Sequence, residues 1–124
     1  MDGSDVRAWV QGYVTAWATN EPNDIRALFA PDARYFTAPD RDPWVGQDAI
    51  VEGWRAIGDR PGDWVFGFDV LAVSGSLTFV RGHTTYRDPP AVYSNLWVIR
   101  FGADGRCVEF TEWWMEAGRD DPAG

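Results

Sequence analysis

Residues 76–116, SLTFVRGHTTYRDPPAVYSNLWVIRFGADGRCVEFTEWWME, decide the fold class. Apolar and aromatic residues recur with a period near two, and the runs break at Asp88-Pro89-Pro90-Ala91 and at Ala103-Asp104-Gly105. That is the pattern of antiparallel strands joined by short turns. With the preceding aromatic run and the turn Ser74-Gly75-Ser76, four strands are expected near 64–73, 76–87, 93–101 and 106–116. Counting by twos places Leu77, Phe79, Arg81, His83 and Thr85 on one face, with Asn95, Trp97 and Ile99, and with Val108, Phe110, Glu112 and Trp114. Ionisable and amide groups on a core-facing surface are costly unless they line a pocket, so Arg81, His83, Asn95 and Glu112 mark an expected site. The opposite face, with Thr78, Val80, Thr84, Tyr86, Leu96, Val98, Thr111, Trp113 and Met115, is too apolar for water and predicts a homodimer through the outer sheet face.

Upstream the period changes. Ser4 is the expected N-cap of a helix over about 5–19, whose apolar side is Val6, Trp9, Val10, Tyr13, Val14 and Trp17. A second short helix follows Pro22 with Ile25, Leu28 and Phe29 on it, and is expected to end at Ala30-Pro31-Asp32. ARYFTA reads as a short strand, PDRDPWVG as an irregular loop, and QDAIVEGWRAIG as a third helix with Ile50, Trp54 and Ile57 on one side. Three N-terminal helices packed in the concave face of a curved, mainly antiparallel sheet make an α+β class, a cone-shaped α+β barrel. One domain over 1–124 is expected, with an ordered core of about 5–116 and a flexible tail at 117–124.

Composition narrows the function classes. A net charge of −8 repels polyanions, so neither nucleic acid nor an anionic membrane is an expected partner. All eleven basic residues are Arg, which removes a lysine Schiff base. The lone Cys107 and single His83 give no clustered ligand set for a transition metal, and no cofactor is expected. The absence of a basic, apolar leader pattern and of a membrane-length run predicts a cytoplasmic protein. Eight Trp, seven Phe and four Tyr are a heavy aromatic load for 124 residues, and some of those rings are expected to face a ligand.

The stretches YVTAWATNEPNDIRALFAPDARYF, Gly46-Gln47-Asp48-Ala49-Ile50 and FGADGRCVEFTEWW carry a resemblance to the nuclear transport factor 2-like superfamily, particularly its small SnoaL-like proteins. That superfamily spans ketosteroid isomerases, limonene epoxide hydrolases, scytalone dehydratases, polyketide cyclases and non-catalytic binders, so the resemblance implies a fold and a pocket more than a reaction. Against ketosteroid isomerase, Tyr13 is similar to the oxyanion-holding tyrosine, while the base position falls on about Thr37 and the protonated-aspartate position on about Trp97. Two of three required groups are missing, which argues against that mechanism. Against limonene epoxide hydrolase, Arg81-Gly82-His83 is similar to an Arg-x-Asp motif, and the second aspartate falls on Glu112.

The expected chemistry is cofactor-free general acid/base catalysis of isomerase, dehydratase, cyclase or epoxide hydrolase type. His83 is its acid or base, Glu112 orients the imidazole or holds a water, and Arg81 stabilises an oxyanion. Tyr13, Trp17, Tyr35, Trp44, Trp54, Thr85, Asn95, Trp97 and Trp114 are the expected binding surface for a hydrophobic or cyclic small molecule. The competing readings are a histidine satisfied by a neighbour, an Arg81–Glu112 ion pair serving only structure, a non-catalytic hydrophobic-ligand module, and a dimeric scaffold with a collapsed pocket.

Overall fold

The structure is a computed structural model that describes residues 1–117. Helix α1 (Gly3–Thr19) is capped by Asp2, two residues before the expected cap Ser4. Asp2 accepts from Asp5 N at 3.0 Å, and Asp5 accepts from Asp2 N at 2.9 Å. This reciprocal box satisfies two orphan N–H groups, where Ser4 would satisfy one. The buried stripe is Val6, Trp9, Val10, Tyr13 and Ala16. Helix α2 (Pro22–Arg26) is shorter than expected. Phe29 instead opens β1 (Phe29–Phe36), and Pro31 and Asp32 lie inside that strand. A register shift between Phe29 and Arg34 accommodates Pro31, which has no N–H for the ladder.

The loop expected to be irregular contains a two-residue strand, β2 (Trp44–Val45), antiparallel to β1. Helix α3 (Gln47–Ile57) buries Ile50, Val51 and Trp54, while Ile57, expected on the same side, is exposed at the helix end. Strands β3 (Trp64–Ser74), β4 (Leu77–Arg87), β5 (Pro90–Phe101) and β6 (Cys107–Ala117) follow. The expected tail from 118 onward lies outside the described residues. The sheet order is β2-β1-β6-β5-β4-β3, with β1 and β6 parallel and every other pair antiparallel. This is the expected α+β arrangement, helices against a curved sheet.

Aromatic packing joins the layers. Trp9 meets Phe101 edge-on at 5.4 Å and donates its Nε1 to Leu28 O at 3.0 Å. Trp17 stacks on Trp64 at 3.8 Å, which ties the end of α1 to the start of β3. Rings of this size dominate core energetics, at roughly 1.5–3 kcal/mol for full burial of a large apolar side chain.

The inward face of β4 is the reverse of the expected one. Thr78, Val80, Gly82 and Thr84 are buried, whereas Arg81, His83 and Thr85 are exposed on the outer face. Directly opposed residues share a face, and Val80 pairs with Trp97 and Gly82 with Asn95 on β5. Small residues face inward here because neighbouring strands supply the volume. Phe66 from β3 lies over Gly82 and stacks on Trp97 at 5.0 Å with 14° between planes. A Cβ at Gly82 would stand 2.5 Å from Phe66 Cε1, and the ring cannot swing away because Phe68 and Trp97 flank it. Gly82→Ala is therefore expected to lose about 1–3 kcal/mol through overpacking. Urea unfolding checks this, and a variant as stable as the parent would contradict the packing described.

Candidate functional site

A cavity of about 540 Å³ opens between the helices and the inner sheet face. Tyr13 on α1, Tyr35 on β1, Trp54 on α3 and Trp97 on β5 are buried and form its deep part. Trp17, Trp44, Tyr86, Tyr93 and Trp114 add ring surface, while Asp59, Asp63, Asp88 and Arg41 lie among its more exposed walls. Its size and apolar lining suit a drug-sized cyclic molecule.

Glu112 is set opposite Trp97 by the β5–β6 register and lines this cavity. Its Oε2 is buried without a hydrogen-bond partner. Burial pushes the carboxyl up to about 8. Trp97 and Asn95 pull the other way, but neither closes a hydrogen bond onto Oε2, so desolvation wins. Trp97 Nε1, in a residue 2% exposed, is also unpartnered. Asn95 has its Oδ1 engaged by Thr84 Oγ1 at 2.8 Å, which fixes the amide and leaves Nδ2 as the remaining donor.

The hydroxyls of Tyr13 and Tyr35 are 2.7 Å apart. One proton is shared within that pair and the other remains available. Burial, reinforced by the nearby Glu112 charge, holds both hydroxyls well above the usual tyrosine range, so they are donors at any working pH. Tyr35 also stacks on Trp44 at 5.0 Å, and that indole occupies the space over Gly53.

Of the residues expected in the site, Tyr13, Trp17, Tyr35, Trp44, Trp54, Asn95, Trp97, Glu112 and Trp114 line the cavity together. His83, Arg81 and Thr85 do not, and their expected placement is corrected by the β4 register. Arg81 pairs with the exposed Asp69 of β3 at 3.3 Å, not with Glu112. His83 faces outward beside Ser94 and Gly67, so it cannot be oriented by Glu112. His83→Ala is expected to change stability by no more than about 0.5 kcal/mol, as for an ordinary surface position, and to leave ligand binding in the cavity unchanged. Thermal unfolding and calorimetric titration check both statements.

Sequence reasoning missed Asp59, Tyr86 and Tyr93 and assigned Thr84 and Tyr86 to the outer face; all four line the cavity. The signal was available in the turn. Arg87 opposite Pro90 is the start of a regular ladder, and an inward Asn95 then requires an inward Gly82 and Thr84. Among the described residues no group of three His, Cys, Asp or Glu side chains is arranged to hold a metal ion, and no helix is long and apolar enough to cross a membrane.

The sequence model of the SnoaL-like domain matches residues 10–110, from the middle of α1 into β6. The chain belongs to the SnoaL-like domain family. It falls within the nuclear transport factor 2-like superfamily, as the sequence resemblance implied. A relative named steroid delta-isomerase, from Nocardioides simplex, is 32% identical over 113 residues, covering 90% of each chain. Among solved structures, a ketosteroid isomerase-like protein from Erwinia carotovora atroseptica aligns with TM-score 0.65 and 20% identity, over 94% of this SnoaL-like chain and 96% of that one. An NTF-2 like protein of unknown function from Burkholderia xenovorans aligns with TM-score 0.68 and 16% identity, over 95% and 88%. At such identities the structural likeness establishes the fold.

Proposed function

We propose that this SnoaL-like protein is a cofactor-free small-molecule isomerase in which Glu112 moves a proton between two carbons of a cyclic substrate. The family supports a small-molecule isomerase-type enzyme or a binding role. The observation that favours catalysis is the buried, unpartnered Glu112 carboxyl in the same cavity as the Tyr13–Tyr35 hydroxyl pair. The relative named steroid delta-isomerase supports the reaction class. Two of the three groups that resemblance leads one to expect are absent at Thr37 and Trp97, and a carboxyl on the neighbouring strand takes over the proton-transfer role.

For a β,γ-unsaturated ketone the balance is simple. The Glu112 carboxylate takes a proton from the carbon between carbonyl and alkene, and the electron pair moves toward the carbonyl oxygen, giving a dienolate. The free proton of the tyrosine pair donates to that oxygen as its negative charge develops. The Glu112 carboxylic acid then returns the proton to the γ-carbon, and the conjugated ketone leaves. A carboxyl near 8 is a stronger base than an ordinary glutamate and still gives an ionised fraction at neutral pH. The test is the rise in ultraviolet absorbance as a β,γ-unsaturated cyclic ketone becomes conjugated. The expected kcat/KM rises with pH through about 8. A rate that is flat with pH and unaltered in Glu112→Gln would sink the proposal.

The non-catalytic reading keeps the aromatic cavity and drops the proton transfer; it predicts tight binding of a ring ligand with no turnover for any substitution to remove. A homodimer across the outer sheet face is a further part of our reading. The face that would form it carries Leu96, Val98, Trp113 and Met115, with Trp113 50% and Met115 67% exposed. Light scattering checks it, with Trp113→Glu expected to shift the protein toward monomer.

A further inference from the structure

Asp59, directly after the left-handed Gly58 that ends α3, is held by two aromatic donors. Trp17 Nε1 donates to its Oδ2 at 2.9 Å and the Tyr86 hydroxyl to the same oxygen at 2.8 Å. Asn20 Nδ2 donates to the Asp59 main-chain carbonyl at 3.2 Å. Among the described residues no donor reaches Oδ1 and no cation pairs with this carboxylate. The other two aspartates of the wall differ, because Arg60 stands 3.8 Å from Asp63 and 3.6 Å from Asp88. Arg41 is the one basic residue among those lining the cavity.

Tyr86 also connects this carboxylate to a run of rings lining the same cavity. Tyr93 meets Tyr86 edge-to-face at 5.8 Å and Trp114 at 5.9 Å. Deeper in the cavity Nε1 of the buried Trp97 stands towards the Glu112 carboxyl without closing a hydrogen bond on it, so a bound ligand's polar atom could satisfy the donor. A carboxylate locked by its neighbours, with one oxygen unused and aromatic rings lining the same cavity, is a preorganised receptor for an ammonium group. It offers a charge-assisted hydrogen bond and a ring quadrupole with little ordering left to do.

We infer that the ligand of this cavity is an apolar ring system bearing an alkylammonium group, received by Asp59 Oδ1 and the rings of Tyr86, Tyr93 and Trp114. This rests on the reading of the cavity as the ligand site and adds the class of molecule that fills it. The net charge of −8 works in the same direction by raising the local concentration of cations and repelling carboxylates.

The test uses three probes of one shape: 2-(aminomethyl)naphthalene, charged at neutral pH, its neutral alcohol 2-(hydroxymethyl)naphthalene, and anionic 2-naphthoate. Calorimetric titration of the full chain at low ionic strength is expected to rank them in that order, with the ammonium at least about tenfold tighter than the alcohol. Asp59→Asn keeps one acceptor oxygen for Trp17 and Tyr86 and is expected to abolish the preference for the ammonium over the alcohol. In the unaltered protein the same preference is expected to shrink as salt is raised, a readout that needs no variant. It is expected to persist in Glu112→Gln, so loss of turnover there leaves this inference standing. Equal affinities for ammonium and alcohol, no measurable ammonium binding, or a preference that survives Asp59→Asn would overturn it.

Discussion

Glu112→Gln is expected to cut turnover by about 10²–10⁴-fold, the usual worth of a positioned general base, and at the same time to make the protein more stable in alkaline solution. Both effects have one cause. The carboxyl sits among Trp97, Asn95 and the tyrosine pair with its Oε2 unpartnered, so its charged form is poorly solvated and its pKa rises from 4.5 to about 8. Between these values the unfolded chain releases the proton and the folded chain keeps it. The stability contributed by the neutral carboxyl is therefore complete below about pH 4.5, falls as pH rises, and is gone above about 8. The glutamine has no such linkage. Urea unfolding is expected to find the variant close to its parent in acid and more stable above pH 8, by up to roughly 4–5 kcal/mol. A parent and variant that track each other across the whole range would show that Glu112 is not a desolvated carboxyl, and the catalytic reading would fall with it.

Trp97→Ala is expected to be the most damaging single truncation in the core, at about 3–5 kcal/mol. The ring is 2% exposed and touches Tyr13 at 4.4 Å, Phe66 at 5.0 Å and Phe110 at 5.1 Å, so its loss opens a void at the junction of α1, β3, β5 and β6. Against a typical total stability of about 5–15 kcal/mol, such a loss takes a large share of the folding free energy. Trp97→Phe separates packing from polarity. It keeps most of the ring contacts and deletes Nε1, a buried donor whose missing partner costs about 1–3 kcal/mol. The phenylalanine variant is therefore expected within about 1.5 kcal/mol of the parent, and guanidinium unfolding of the two variants side by side checks the contrast. A Phe variant as unstable as the Ala variant would mean that the indole N–H has a partner after all.

How much of the site was legible from the chain follows from where its information is stored. Helical spacing alone identifies the inner stripe of α1 that contains Val6, Trp9, Val10 and Tyr13, because a helix's period ties each position to a face without reference to any other element. Alternation in β5 and β6 correctly places Asn95, Trp97, Phe110 and Glu112 inward, since large apolar neighbours on the same side leave no other choice. In β4 alternation fails. Leu77 and Phe79 pull one way and Val80 the other, and the volume that decides between them belongs to Phe66 and Trp97 on adjacent strands.

The amino-acid sequence by itself determined the order of the three helices and of the long strands, the aromatic character of the cavity, and the presence of a carboxyl on the inner face of the last strand. These are properties of local period and composition. Only the tertiary structure decided that His83 and Arg81 face outward, that Glu112 is unpartnered, and that Asp59 is clamped between Trp17 and Tyr86. Those facts depend on register between strands and on packing between residues as far apart as Trp17 and Tyr86. Such contacts are settled by filling volume and satisfying polar atoms across the whole fold, and no local pattern encodes them.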